Sequence, residues 1–309
     1  MPLNALFFGL ACAPRYAGAP PMAPAELSAP AEVSYVDLDG VRIAMIDEGA
    51  GRPVVLLHGL SSYMGYWEHQ IPELSNDHRV LALDLPGFGM SSRPDASYTP
   101  PWFASLVVDW MDDVGLESAV FVGHSMGGQV ALTLALEHPD RVDALVLAAP
   151  AGFETFTPGA ADWMKSWWTE SRAMHSGEED IRATMTTMVF NRHDEGVERL
   201  IEERVRLGRH PDFGGTSVAV SRSIAGMLDH PVTDRLGEVD VPTLIVFGTD
   251  DRMIPNPVFT GGRTSTIARR GHEAIAGSDL VLINGAGHTV HHDAPTEFNQ
   301  AVTRFLEEL

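Results

Sequence analysis

One cysteine, Cys12, stands in a chain of 309 residues, so no disulfide can close within it. Neither C-x-x-C nor H-E-x-x-H occurs, which argues against a structural zinc site and against a zincin. Basic residues are scarce: 21 Lys and Arg face 42 Asp and Glu, for a formal charge of −21. A phosphate backbone needs a basic surface to bind, so a nucleic-acid partner is not expected, and the acidic excess reads as a contribution to solubility. No apolar run reaches the roughly 18 residues of a membrane-spanning helix. Nucleotide and flavin signatures are missing too, and "GLSSYMG" lacks the fingerprint of a phosphate loop, so neither cofactor nor metal is expected.

What is present is enough for a large core. With 44% apolar residues, the chain fits one globular domain carrying an insertion, or two domains. The N-terminus stands apart in composition. "LNALFFGLACA" has about the length of a secretory apolar region, and the Pro/Ala-rich "APRYAGAPPMAPAELSAPAE" after it resembles a linker. No Lys or Arg precedes the apolar run, and Cys12 only loosely fits a lipid-acylation site. Residues 1–31 are therefore expected to be signal-like or disordered, with cytoplasmic, exported and lipid-anchored locations all open.

From Val33 the pattern becomes regular. "SYVDLDGVRIAMIDEG" alternates on both sides of Asp39-Gly40, a strong hairpin signal. Apolar runs at 54–58, 79–84, 119–123 and 144–149 then alternate with helical patterns near 67–75, 101–114 and 127–138. Continuous apolar strands separated by helices imply a mostly parallel sheet covered on both faces. Residues 152–230 read as helical with no convincing strand, and the strand-helix order resumes at 242–248 and 279–284. The expected organisation is an α/β core over 32–151 and 231–309, interrupted by a helical cap at 152–230.

The chemistry gathers at Gly123-His124-Ser125-Met126-Gly127, a G-x-S-x-G that follows a strand and opens a helix. Small residues two before and two after the serine permit a tight turn, which lifts Ser125 Oγ above the sheet. The helix N-terminus behind it offers N–H groups to a developing oxyanion. This context favours a nucleophile over a simple helix cap. A serine hydroxyl needs a base and an orienting acid. His288 lies in a Gly-rich loop directly after the last strand run, whereas the nearby His291 and His292 read as solvated. For the acid, "PTLIVFGTDDRMIP" presents Asp250 and Asp251 at a strand end, and spacing alone does not choose between them. The position after the strand at 144–149 reads "PAGF", without a carboxylate.

With "LLHGLSS", "LDLPGFGMS", "VGHSMGG", "GTDDRMIP" and "GAGH" in this order, the chain from about residue 33 onward resembles the small cap-bearing serine hydrolases of the α/β-hydrolase fold. The resemblance implies an eight-stranded, mostly parallel sheet and a triad in the order Ser, Asp, His. In that family the acid is the fourth residue of G-x-x-D-x-x-x-P, which falls on Asp251. The resemblance also assigns the oxyanion hole to the backbone N–H groups of Leu60 and Met126. It makes His58 a loop brace and Asp84, at another strand end, a structural residue rather than the triad acid.

A serine in this place implies acyl transfer, whereas an aspartate would have suggested dehalogenase or epoxide hydrolase chemistry. Phe153, Phe156, Trp163, Trp167 and Trp168 suggest an apolar pocket roof and hence a small to medium, largely uncharged ester as the small-molecule partner. Carbon-carbon or lactone hydrolysis on the same triad is the alternative, with Arg182 or Arg192 as possible anchors for a substrate carboxylate. A binding protein with little turnover is the third reading.

Overall fold

The computed structural model describes residues 19–309. The hairpin forms as the alternation predicts: β1 (Ser34–Leu38) pairs antiparallel with β2 (Val41–Gly49), with Leu38 opposite Val41. The two-residue loop between them is Asp39-Gly40, with φ of 52° and 87°. Two consecutive positive φ values match the twist that a two-residue hairpin requires, which explains the Asp-Gly pair.

The remaining strands are β3 (Pro53–Leu57), β4 (Arg79–Leu83), β5 (Ala119–His124), β6 (Val142–Ala148), β7 (Thr243–Gly248) and β8 (Asp279–Ile283). Together they form one eight-stranded sheet in the order β1-β2-β4-β3-β5-β6-β7-β8, parallel from β4 onward and antiparallel at β1/β2 and β2/β4. Every residue of β5 and β7 is buried, because helices cover both faces. Alternate residues serve opposite cores. Val55, Phe121, Leu145 and Ile245 join one, and Val54, Val120, Val146 and Leu244 the other.

Helices α1 (Ile71–Leu74), α2 (Pro100–Asp113) and α3 (Met126–Glu137) precede the insertion. Between β6 and β7 lie α4 (Pro158–Trp167), α5 (Glu170–Met174), α6 (Glu178–Thr184), α7 (Glu195–Gly208) and α8 (Phe213–Asp229), and no strand. The chain closes with α9 (Thr264–Ala274), α10 (Val290–Asp293) and α11 (Pro295–Glu307). Phe103 and Trp110 of α2 and Val130 of α3 fill one core, and Phe298 and Val302 of α11 the other. Among the described residues, no helix is long and apolar enough to cross a membrane.

The N-terminal expectation needs correction where it can be compared. Cys12 and the apolar run before it lie outside the described residues, but residues 19–31 are docked on the fold rather than loose. Arg206 and Arg209 donate to the carbonyls of Pro20 and Ala19 at 2.9 and 2.7 Å. Met22 and Leu27 are buried, and Ser28 donates its backbone N–H to Glu203 of α7 at 3.1 Å. The Pro/Ala composition hid two apolar anchors and an extended backbone that the arginines of α7 and its end can bind.

Candidate active site

β5, an interior strand, delivers Ser125 to its C-terminal end with φ 52° and ψ −115°, and α3 starts at the next residue. Such a conformation for a non-glycine residue costs on the order of 1–3 kcal/mol and persists only where the surroundings enforce it. They do so here: Ser125 N–H donates to Ala148 O of β6 at 3.0 Å, and Ser125 O accepts from Ala151 N–H at 3.0 Å. The flanking glycines are sterically required. A Cβ on Gly123 would lie 2.4 Å from Gly127 O, and one on Gly127 would lie 2.2 Å from Leu57 O. The hydroxyl makes no cap hydrogen bond to α3, so it is not spent on the helix.

The loop after β3 passes directly beside this turn, since a Cβ on Gly59 would lie 3.3 Å from Ser125 Cβ. Leu60 follows it, half-buried, and Met126 is buried at the start of α3. His58 braces that loop: its Nδ1–H donates to Gly59 O at 2.7 Å and its Nε2 accepts from Leu85 N–H at 3.0 Å. Burial pushes its pKa down to about 4, so it is a neutral strut. Asp84 is also committed to backbone, its two oxygens accepting from Met64 and Met90 N–H at 2.6 Å each.

His288 follows β8, and its Nδ1 lies 2.9 Å from Asp251 Oδ2, with both side chains buried. The other oxygen, Asp251 Oδ1, accepts from the N–H groups of Met253 and Ile254 at 2.8 and 3.0 Å, which fixes the carboxylate. Asp250 is exposed, and its carboxylate accepts from Thr249 Oγ1 at 3.1 Å. Of the two neighbouring aspartates, the fold thus brings Asp251 to the imidazole and turns Asp250 away. No hydrogen bond joins Ser125 Oγ to His288 among the described residues. The elbow and the histidine loop are joined instead by His124, whose Nε2 lies 3.1 Å from His288 O.

His291 and His292 are fully buried, which corrects the expectation that they are solvated. His291 packs between Trp67 and His124, at ring-centroid distances of 4.2 and 4.6 Å, and burial holds it uncharged. A run of polar residues at the start of a helix looks solvated in sequence, but this one is α10, which points inward. Three further residues went unread. His124 is hidden at the variable position of G-x-S-x-G. Asp293 accepts from the N–H groups of Gly287, Asn191 and Arg192, pinning the His288 loop to the insertion. Glu154, one residue past "PAGF", accepts from Asn256 N–H at 2.7 Å, and burial and the nearby Asp251 charge raise its pKa.

The insertion's aromatics divide. Phe153 is fully buried against Phe247, whereas Trp163, Trp167 and Trp168 are 47%, 43% and 38% exposed. Trp163 stacks on Trp167 and packs against Phe259, in the loop that follows Asp251. Arg182 is neutralised by Glu178 and Glu202 inside the insertion, while the Arg192 guanidinium is mostly exposed and pairs with Asp194 at 3.3 Å.

Residues 52–295 match the model of the alpha/beta hydrolase fold family. The chain belongs to that family. It is 30% identical over 278 residues to a 2-hydroxymuconate semialdehyde hydrolase of Pseudomonas sp. (strain CF600), covering 87% of this chain and 92% of that one. It is 28% identical over 286 residues to a dihydrolipoyllysine-residue acetyltransferase component of an acetoin cleaving system of Cupriavidus necator, covering 91% of this chain and 71% of that one. Among solved structures it superposes on a probable hydrolytic enzyme of Pseudomonas aeruginosa with a TM-score of 0.82 at 25% identity, covering 93% of this chain and 99% of the other.

Proposed function

We propose that this family member is a serine hydrolase that cleaves a small to medium, largely apolar carboxylic ester through an acyl-enzyme on Ser125. The observation that carries the reading is the His288–Asp251 hydrogen bond of 2.9 Å beside a serine held in a strained turn. Ser125 Oγ attacks the ester carbonyl as His288 Nε2 takes its proton, while Asp251 holds Nδ1–H and supports the imidazolium. The oxyanion is received by the N–H groups of Leu60 and Met126, each worth about 3–4 kcal/mol of barrier. His288 returns the proton to the leaving alcohol, then activates the water that releases the acid. This chemistry requires Ser125 Oγ and His288 Nε2 to come within hydrogen-bond reach once substrate is bound, as catalytic pairs commonly do. The stacked Trp163 and Trp167 with Phe259 support an apolar acyl group.

A second reading, carbon-carbon or lactone hydrolysis on the same residues, is favoured by the relative named as a semialdehyde hydrolase and by the lightly paired Arg192. Arg182 is spent within the insertion. A binding protein with an idle triad is the third. The test is hydrolysis of a chain-length series of p-nitrophenyl esters by wild type and Ser125→Ala, with a fluorophosphonate label located by mass spectrometry. Turnover that vanishes in Ser125→Ala, with the label on Ser125, supports the esterase. Label without ester turnover moves the activity to the second reading, and neither label nor turnover overturns the enzymatic one.

A further inference from the structure

Outside the triad, three side chains from two distant segments converge on one point. Glu68 and His69 follow the helical turn Met64–Trp67, and His292 lies on α10. Glu68 Oε1 is 3.0 Å from His292 Nε2, and the His69 and His292 rings lie edge to face at 4.7 Å between centroids. One ligating atom from each of the three falls within 4.8 Å of the others. The space beside them is kept open by a glycine. A Cβ on Gly196, at the start of α7, would stand 2.9 Å from Glu68 Oε1 and 3.6 Å from His292 Cε1.

We propose that Glu68, His69 and His292 form a binding site for a divalent transition-metal ion of the zinc type. Two imidazoles and one carboxylate suit Zn2+, Co2+ or Ni2+, whereas Mg2+ and Ca2+ prefer an all-oxygen set. The ion takes the place of the hydrogen in the 3.0 Å contact between His292 Nε2 and Glu68 Oε1. The ring binds it as a neutral imidazole with its one proton on Nδ1, any second proton leaves to solvent, and water completes the coordination. Arg199 now pairs with Glu68 Oε2, and its charge opposes the ion. Arg199 is also partly exposed and can turn to solvent, and the acidic surroundings of a chain at −21 favour added positive charge. No local motif announces the site, because Glu68 and His292 are 224 residues apart.

The ion ties the segment after β3 to α10, whose last residue Asp293 holds Gly287 of the His288 loop at 2.7 Å. It is a clamp on the scaffold, and it does not depend on which bond the triad cleaves.

The full chain, stripped with a chelator, is titrated with ZnCl2 by calorimetry and melted with ZnCl2, CoCl2, NiCl2 or MgCl2. One Zn2+ per chain is expected, with Tm raised by roughly 5 °C at a hundredfold excess over Kd and no response to Mg2+. His69→Ala, a half-exposed position, weakens Zn2+ binding more than about tenfold, as losing even an outer partner of a metal does. His175→Ala, on the exposed end of α5, binds as wild type. If His69→Ala fails to fold by circular dichroism, the visible spectrum of Co2+ decides: nitrogen-ligated bands in wild type that are lost in Glu68→Gln support the site. No binding, equal binding in His69→Ala, or an equal shift with Mg2+ overturns it.

Discussion

His124 Nε2 lies 3.1 Å from the backbone carbonyl of His288, so the residue before Ser125 holds the loop that carries His288. Burial and the neighbouring His288 lower the His124 pKa, which keeps the ring neutral and its Nε2–H available to donate. One side chain thereby couples the strand-to-helix turn to the end of β8.

Removing that donor leaves a buried carbonyl without its partner, a loss of about 1–3 kcal/mol. His124→Ala is expected to fold with a lowered Tm and to lose about tenfold or more in kcat on a p-nitrophenyl ester, with a smaller change in KM. Unchanged kcat would show that the His288 loop is positioned without it.

The adjacent aspartates give a sharper comparison. The Asp251 carboxylate accepts from His288 and from two backbone N–H groups, whereas the exposed Asp250 carboxylate accepts from the Thr249 hydroxyl. Asp251→Asn keeps the shape but reverses the hydrogen-bond demand on Nδ1, so kcat should fall by about 10^4-fold. Asp250→Asn should change kcat by less than about fivefold, the range of an exposed polar contact. Ester kinetics on the two purified variants read both outcomes, and equal losses would remove the assigned difference in role.

The two aspartates also mark how far the sequence reaches. Strand runs, the Asp39-Gly40 hairpin and the G-x-S-x-G turn were legible because each follows from local rules: two-residue periodicity, positive φ and steric room. The Asp251 assignment needed the family pattern, since both carboxylates share one strand end. Burial of His291 and His292 was illegible because it depends on α10 pointing between Trp67 and Phe298, a tertiary fact. Glu154 was illegible because its partners, Asn256 and Asp251, lie about a hundred residues away, and the docked residues 19–31 because their composition resembles a linker.

That docked stretch is expected to contribute stability. Met22 and Leu27 are buried against the body of the protein, and full burial of such side chains contributes about 1.5–3 kcal/mol each. A chain starting at residue 32 also leaves Glu203, which now accepts from Ser28 and Tyr63, without two of its donors. Its urea midpoint should fall clearly below that of the full chain, although Ser125, Asp251 and His288 are all retained. Coincident unfolding curves would mean that residues 19–31 are held without stabilising what holds them.

His58 makes stability depend on pH in one direction. Its pKa is about 4 in the folded protein against an ordinary 6.5, so between those values the unfolded chain takes up a proton that the folded chain refuses. Its contribution is therefore complete above pH 6.5 and declines as the pH falls towards 4, by on the order of 3 kcal/mol at about 1.4 kcal/mol per pH unit. Asp84, raised by burial to about 7, works in the opposite sense over the same range, so the wild-type curve alone does not isolate the histidine. The difference between wild type and His58→Asn does, because Asp84 and His124 are common to both. Urea unfolding at pH 7, 5.5 and 4.5 should show the advantage of wild type over His58→Asn shrinking with each step down in pH. An advantage that stays constant would mean that His58 titrates alike in the folded and unfolded chains, and that its bonds to Gly59 and Leu85 do not depend on a neutral ring.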